Sequence, residues 1–189
     1  MIKYSNYSNC RQLAINAFLA TISLIFILIS RMQIIPFPFF LRLEFSDAPI
    51  FAATLIFGVQ SGILILIAVC FIRSIFFSTI GYSGFIMRII SIIPIISLGI
   101  YNKISSKFYK NLQKRYLILC MLLGILWYII IKIPISFLFW VYLHNFPSEF
   151  IKKIIPTIII PVNIIKISFN YLLGIYIANL INKVSDIVK

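Results

Sequence analysis

Four of the seventeen basic residues, Arg73, Arg88, Lys132 and Lys166, fall inside long apolar runs. A cation at the bilayer centre costs about 2.5–3.5 kcal/mol on insertion scales, so such residues are rare, face the protein interior and mark functional sites. Helical spacing gives them neighbours. Asn163, Lys166 and Asn170 sit at i, i+3 and i+7, one stripe of a helix. Tyr128, Lys132 and Ser136 sit at i, i+4 and i+8 of another, and Arg88 shares a face with Ser91. Several helices thus offer polar stripes to a common interior. The chemistry this suits is binding of a polar or anionic small molecule, with arginine supplying a planar fork for carboxylate or phosphate. The bland alternative for Arg73 and Lys166 is snorkelling toward an interface. Asparagine has no reason to snorkel; its bland alternative is an interhelical hydrogen bond.

Catalysis finds little material. No carboxylate lies in a span to relay protons, and the chain holds four acidic residues and one histidine. Cys10, Cys70 and Cys120 form no CxxC pair and no metal-ligand spacing. We expect no enzyme, no bound metal and no cofactor beyond a transported ligand. One motif opposes this: Gly81-Tyr82-Ser83-Gly84 resembles the nucleophile motif of rhomboid intramembrane proteases, with His144 the sole candidate base. A plain turn accounts for the same four residues.

Membrane spans must position these side chains. Of 189 residues, 62% are hydrophobic and 11% charged, against about 45–50% and 25% in soluble domains. The mean hydropathy is +1.08. These values exclude an ordinary soluble enzyme and a disordered chain, and leave too little solvated surface for nucleic-acid binding. We read one all-α membrane domain over residues 1–189, with six spans at about 11–31, 48–57, 60–79, 85–101, 116–143 and 156–181. Residues 102–115 and 144–155 read as polar loops. Pro36 and Pro38 exclude helix between the first two spans.

The formal charge of +13 then divides by position. With the N-terminus inside, Lys3, Arg11, Lys103, Lys107, Lys110, Lys114, Arg115, Lys183 and Lys189 are cytoplasmic. Arg31, Arg42, Lys152 and Lys153 lie outside, beside Glu44, Asp47 and Glu149, which leaves the outer face nearly neutral. The positive-inside rule therefore predicts both termini in the cytoplasm.

The stretch Leu41-Arg42-Leu43-Glu44-Phe45-Ser46-Asp47-Ala48-Pro49 resembles a family signature. It is similar to the loop after the first helix in the substrate-binding S components of energy-coupling factor vitamin transporters, most of all the riboflavin-binding member. A short helix ending in glycine follows, as at Phe57-Gly58. Arg73-Ser74 takes the place of a Lys-Asn pair, and Phe85 and Pro94 to Tyr101 loosely fit the fourth helix. Pro161-Val162-Asn163-Ile164-Ile165-Lys166 resembles the opening of the last helix. The resemblance runs over about residues 12–182.

It implies a multi-pass subunit of a bacterial plasma membrane that binds a vitamin, riboflavin or a related flavin such as FMN. Leu41, Arg42, Glu44, Phe45 and Asp47 would cover the pocket, and Asn163 and Lys166 would contact the ligand. Asn170, Arg73, Phe85, Arg88 and Lys132 complete the expected lining. The implied partners are a transmembrane coupling subunit and two ATPase subunits; this chain has no GxxxxGK[ST] phosphate loop of its own. Ala14, Ala17, Ala20 and Thr21 would supply the small-residue contact with the coupling subunit, Ala17 and Thr21 as a small-xxx-small pair; packing inside the bundle would use the same residues. The sequence also departs from the family. Residues 81–85 lack its Glu and Asn, Cys70 replaces an acidic residue, and Arg88 stands where a small residue is usual. The pocket is thus more cationic than neutral riboflavin requires, which suggests a ligand carrying phosphate or carboxylate.

Overall fold

The structure, a computed structural model, describes residues 9–31, 44–76, 88–105, 110–143 and 145–187. Among them there is no strand. The helices are α1 (Asn9–Arg31), α2 (Ala48–Phe57), α3 (Val59–Phe76), α4 (Ile92–Ser105), α5 (Lys110–Leu138), α6 (Ser148–Ile154) and α7 (Ile160–Ile187). Wide π turns, Phe139–Leu143 and Ile155–Ile159, follow α5 and precede α7.

Four helical stretches are long and apolar enough to cross a membrane: Asn9–Ser30, Val59–Phe76, Arg115–Tyr142 and Ser148–Val184. Their outward faces carry Leu13, Phe18, Leu64, Phe71, Leu122 and Trp127, each more than half exposed. Water would not tolerate so much contiguous apolar surface, and lipid does. Two apolar helices are shorter, Ala48–Phe57 and Ile92–Tyr101. At 1.5 Å per residue, ten residues rise about 15 Å, half the hydrocarbon thickness.

The centre of the bundle is α2. Nine of its ten residues are buried, as expected of a helix that is apolar all round. It packs against α7, α3, α1 and α4, while α5 lies outside against α4 and α7. Pro49 sits in its first turn, where the missing N–H costs nothing. Gly58 ends it at φ 96°, a backbone conformation that suits glycine, and turns the chain into α3. Gly174 lets α7 approach: a Cβ there would meet the Ala48 carbonyl oxygen and Phe51 Cβ at 2.9 Å each. One turn earlier Tyr171 stacks on Phe51, ring centroids 4.8 Å apart. The inward face of α1 reads Asn16, Leu19, Ser23 and Ile27, all buried at helical spacing.

Several boundaries differ from the sequence reading. Within the expected fourth span at 85–101, Arg88 and Ile89 are helical, a turn at Ile90 and Ser91 follows, closed by Ser91 N–H to the Arg88 carbonyl at 2.9 Å, and α4 starts at Ile92; 85–87 lie outside the described residues. Pro94 explains the start, because proline belongs in a first turn. Most of the expected loop 102–115 is helical, with α4 running to Ser105 and α5 opening at Lys110. The expected loop 144–155 holds α6. Pro134 lies inside α5 and does not end it. The third helix ends its described course at Phe76, and 77–79 lie outside the described residues.

Candidate functional site

Glu44 opens the short segment that leads into α2. Its carboxylate is buried and accepts two parallel bonds from Arg73 of α3, at 2.8 and 2.7 Å. Arg88 reaches the same carboxylate at 3.4 Å and Lys166 of α7 at 3.7 Å. Asp47, also buried, accepts from Arg88 at 3.0 Å and from the Ser91 hydroxyl at 3.4 Å. Three cations of the sequence's four thus converge on two acids from one loop. Arg73 does not snorkel; its fork turns inward to a partner 29 positions away.

Backbone and hydroxyl groups fix the loop in place. Asn170 donates to the Glu44 carbonyl at 2.9 Å and to the Lys166 carbonyl at 2.8 Å. Arg88 donates to the Ser46 hydroxyl at 2.8 Å, and Ser23 of α1 donates to the Ser46 carbonyl. Asp47 occupies the N-cap position of α2 but makes no side-chain cap. Its oxygens are committed to Arg88 and Ser91 instead.

Electrostatics follow from this geometry. Burial alone would raise the Glu44 carboxyl, but Lys166, Arg73 and Arg88 together outweigh it and hold the group far below the ordinary carboxylate range. Glu44 is therefore ionised at neutral pH. The outer face expected to be nearly neutral loses both loop acids to the interior, because buried cations require buried counter-ions.

A second polar layer adjoins the first. Asn163 of α7 donates to the Ile159 carbonyl at 2.7 Å, satisfying the π turn between Pro156 and Pro161, and lies 3.4 Å from the Tyr128 hydroxyl. The Lys132 ammonium stands 5.3 Å from the centre of the Tyr128 ring, a cation–π distance. It is within electrostatic reach of Asp47 and Glu44. Tyr128 and Ser136 are buried, so the expected inward stripe of α5 is present.

The structure therefore brings together Glu44, Asp47, Arg73, Arg88, Lys166 and Asn170, with Asn163 and Lys132 beside them. Phe45 borders the cluster edge-on to Phe169, centroids 6.4 Å apart. Arg88 meets Asp47 from a helical position and Ser91 from the turn that follows it. Leu41, Arg42 and Phe85 lie outside the described residues, as do Ser83 and His144 of the protease reading. On α1, Ala14, Ala17 and Thr21 are exposed and Ala20 is half-buried against the core. The Ala17/Thr21 pair thus faces outward, and packing within the bundle does not account for it. Among the described residues, no group of three His, Cys, Asp or Glu could hold a metal ion.

Sequence reasoning missed Ser46 and Ser23, which orient the loop. It also missed Gln12, Asn16 and Ser61, where both amides donate to one hydroxyl at 3.1 and 3.3 Å. The signal for Asn16 and Ser23 was present: they share a stripe of α1 seven residues apart. No protein-family profile, curated protein or solved structure matches this chain.

Proposed function

We propose that the protein is the substrate-binding membrane subunit of an importer of the energy-coupling factor type, and that its ligand is a flavin, riboflavin or FMN. One observation carries this reading. Charged and amide side chains from α3, the segment before α4 and α7 converge on Glu44 and Asp47 of the loop that leads into α2. Asn163, Lys166 and the Glu44–Asp47 loop belong to the two motifs that resemble the S components. A polar cluster of this cost is not retained for packing alone, since apolar residues of equal volume stabilise a buried site as well or better.

In this reading the six-span topology counts α2 and α4 as the two short members, both termini are cytoplasmic, and the host membrane is a bacterial plasma membrane. The exposed small residues of α1 meet a transmembrane coupling subunit, and two ATPase subunits drive uptake. The protein itself is not an enzyme. The test is mass spectrometry of the ligand released from detergent-purified protein, together with flavin titration by fluorescence quenching. A copurified flavin, or tight binding that Lys166→Ala weakens at least tenfold, supports the reading. Folded protein that neither carries nor binds a flavin rejects it.

A further inference from the structure

The cluster contains three cations in direct contact with two carboxylates. Arg73, Arg88 and Lys166 face Glu44 and Asp47, so one positive charge remains over. Lys132, its ammonium over the Tyr128 ring, lies within electrostatic reach of the same two acids and brings the surplus to two. Cys70 of α3 adjoins Arg88 and supplies no carboxylate. An uncompensated charge in a low-dielectric interior is expensive. The surplus can be located. Arg88 is 6% exposed, and while its two terminal nitrogens are engaged, its Nε–H is buried without an acceptor. A second polar atom beside the loop shares this condition: Asn170 Oδ1 is buried without a donor, its amide nitrogen being spent on the Glu44 and Lys166 carbonyls.

We infer that the cluster is a binding site for an anionic group, a carboxylate or a phosphate, that docks on Arg88 Nε–H. The inference rests on reading the cluster as a ligand site and sharpens the substrate class. A neutral ligand would leave the surplus charge in place. Removing either acid raises the surplus to three and strengthens anion binding.

Two sets of probes keep this inference separate from the flavin assignment. The first is flavin-free: thermal unfolding of the detergent-purified protein with formate or formamide in a constant salt background. Formate at tenfold its Kd should raise the midpoint by about 3–5 °C, and formamide, its neutral isostere, should not. Arg88→Gln should abolish the formate shift. Should that variant not fold, Arg88→Lys serves, since it keeps a charge and loses the Nε–H. In Asp47→Asn, read against its own ligand-free melt, the formate shift should be at least as large as in the parent protein. Equal shifts with formate and formamide, or a formate shift that survives both Arg88 variants, overturn the inference. The second set fixes the ring and varies the charge: riboflavin, a carboxymethyl flavin and FMN. The carboxymethyl flavin should bind at least tenfold tighter than riboflavin. If riboflavin binds as well and formate does nothing, the charge inference falls and the flavin assignment stands. If formate stabilises through Arg88 and no flavin binds, the reverse holds.

Discussion

Replacing Glu44 by glutamine tests whether the cluster is one electrostatic unit. The substitution keeps the volume and the backbone carbonyl bonded to Asn170, and removes one charge. That charge holds Arg73 through two charge-assisted bonds at 2.7 and 2.8 Å, and it faces Arg88 at 3.4 Å and Lys166 at 3.7 Å. Removing one partner of a buried ion pair costs about 3–5 kcal/mol, mostly because the other charge is left uncompensated. Glutamine still offers one oxygen to Arg73, whose side chain is 23% exposed and can recruit water, so the lower end applies. About 3 kcal/mol lowers the thermal midpoint of a chain this long by about 6–12 °C. The assay is thermal unfolding in detergent with a tryptophan-fluorescence readout, on Glu44→Gln, Arg73→Gln and the double variant. The two groups share bonds, so the double variant should be more stable than additivity requires by about 1–3 kcal/mol. A single Glu44→Gln variant within about 2 °C of wild type, or additive losses in the cycle, would refute the account.

The other predictions concern acid, packing and partner contact. The Glu44 carboxyl is lower in the folded chain than in the unfolded one; its contribution is therefore complete above the unfolded pKa of about 4.3 and is lost as pH falls below it toward the folded value. Melting curves should be insensitive to this group between about pH 8 and 5 and fall below about pH 4.5, with a shallower fall in Glu44→Gln. Gly174→Ala should destabilise by about 1–3 kcal/mol, since its Cβ would press on the Ala48 carbonyl and Phe51; an unchanged midpoint would mean that α2 and α7 have room to part. Ala17→Leu lies on an exposed face of α1 and should leave stability within about 0.5 kcal/mol. Under the proposed partnership it should leave ligand binding intact and abolish uptake into cells; normal uptake would remove the small-residue face from the partner surface.

Much of the architecture was legible from composition. Long apolar runs gave α1, α3, α5 and α7, because a run of about twenty residues has few other solutions. Full burial of α2 was not legible from length, which is that of a surface or core helix alike; it follows from a sequence without a polar face. The turn at Ile90 and Ser91, just before α4, was not legible because hydrophobicity continues through it. The helical course of residues 110–115 and the π turns carry no apolar periodicity that would mark them.

The site divides the same way. Spacing within one helix found the stripe Asn163, Lys166 and Asn170, and it found the four buried cations as anomalies. It could not find the acids, because every pairing with the loop crosses elements, from Arg73–Glu44 at 29 positions to Asn170–Glu44 at 126. Counting acids span by span left the cations unmatched, and the loop acids were assigned to the outer surface. The physical requirement points the other way: a buried cation without a local acid must draw its counter-ion from a loop that can enter the bundle. Glu44 and Asp47 lie at most four positions before Ala48, the first residue of the central helix. The helix that fills the core therefore also delivers the counter-ions. Asp47 is withdrawn from capping α2 to hold Arg88, and Asn170 ties the Glu44 carbonyl to the helix that Gly174 brings against α2. Packing of α2 on α7 and closure of the loop over the cluster are thus one event. Under the proposed function, a change that loosens the first, such as Gly174→Ala, should weaken ligand binding through the second without touching a side chain of the site.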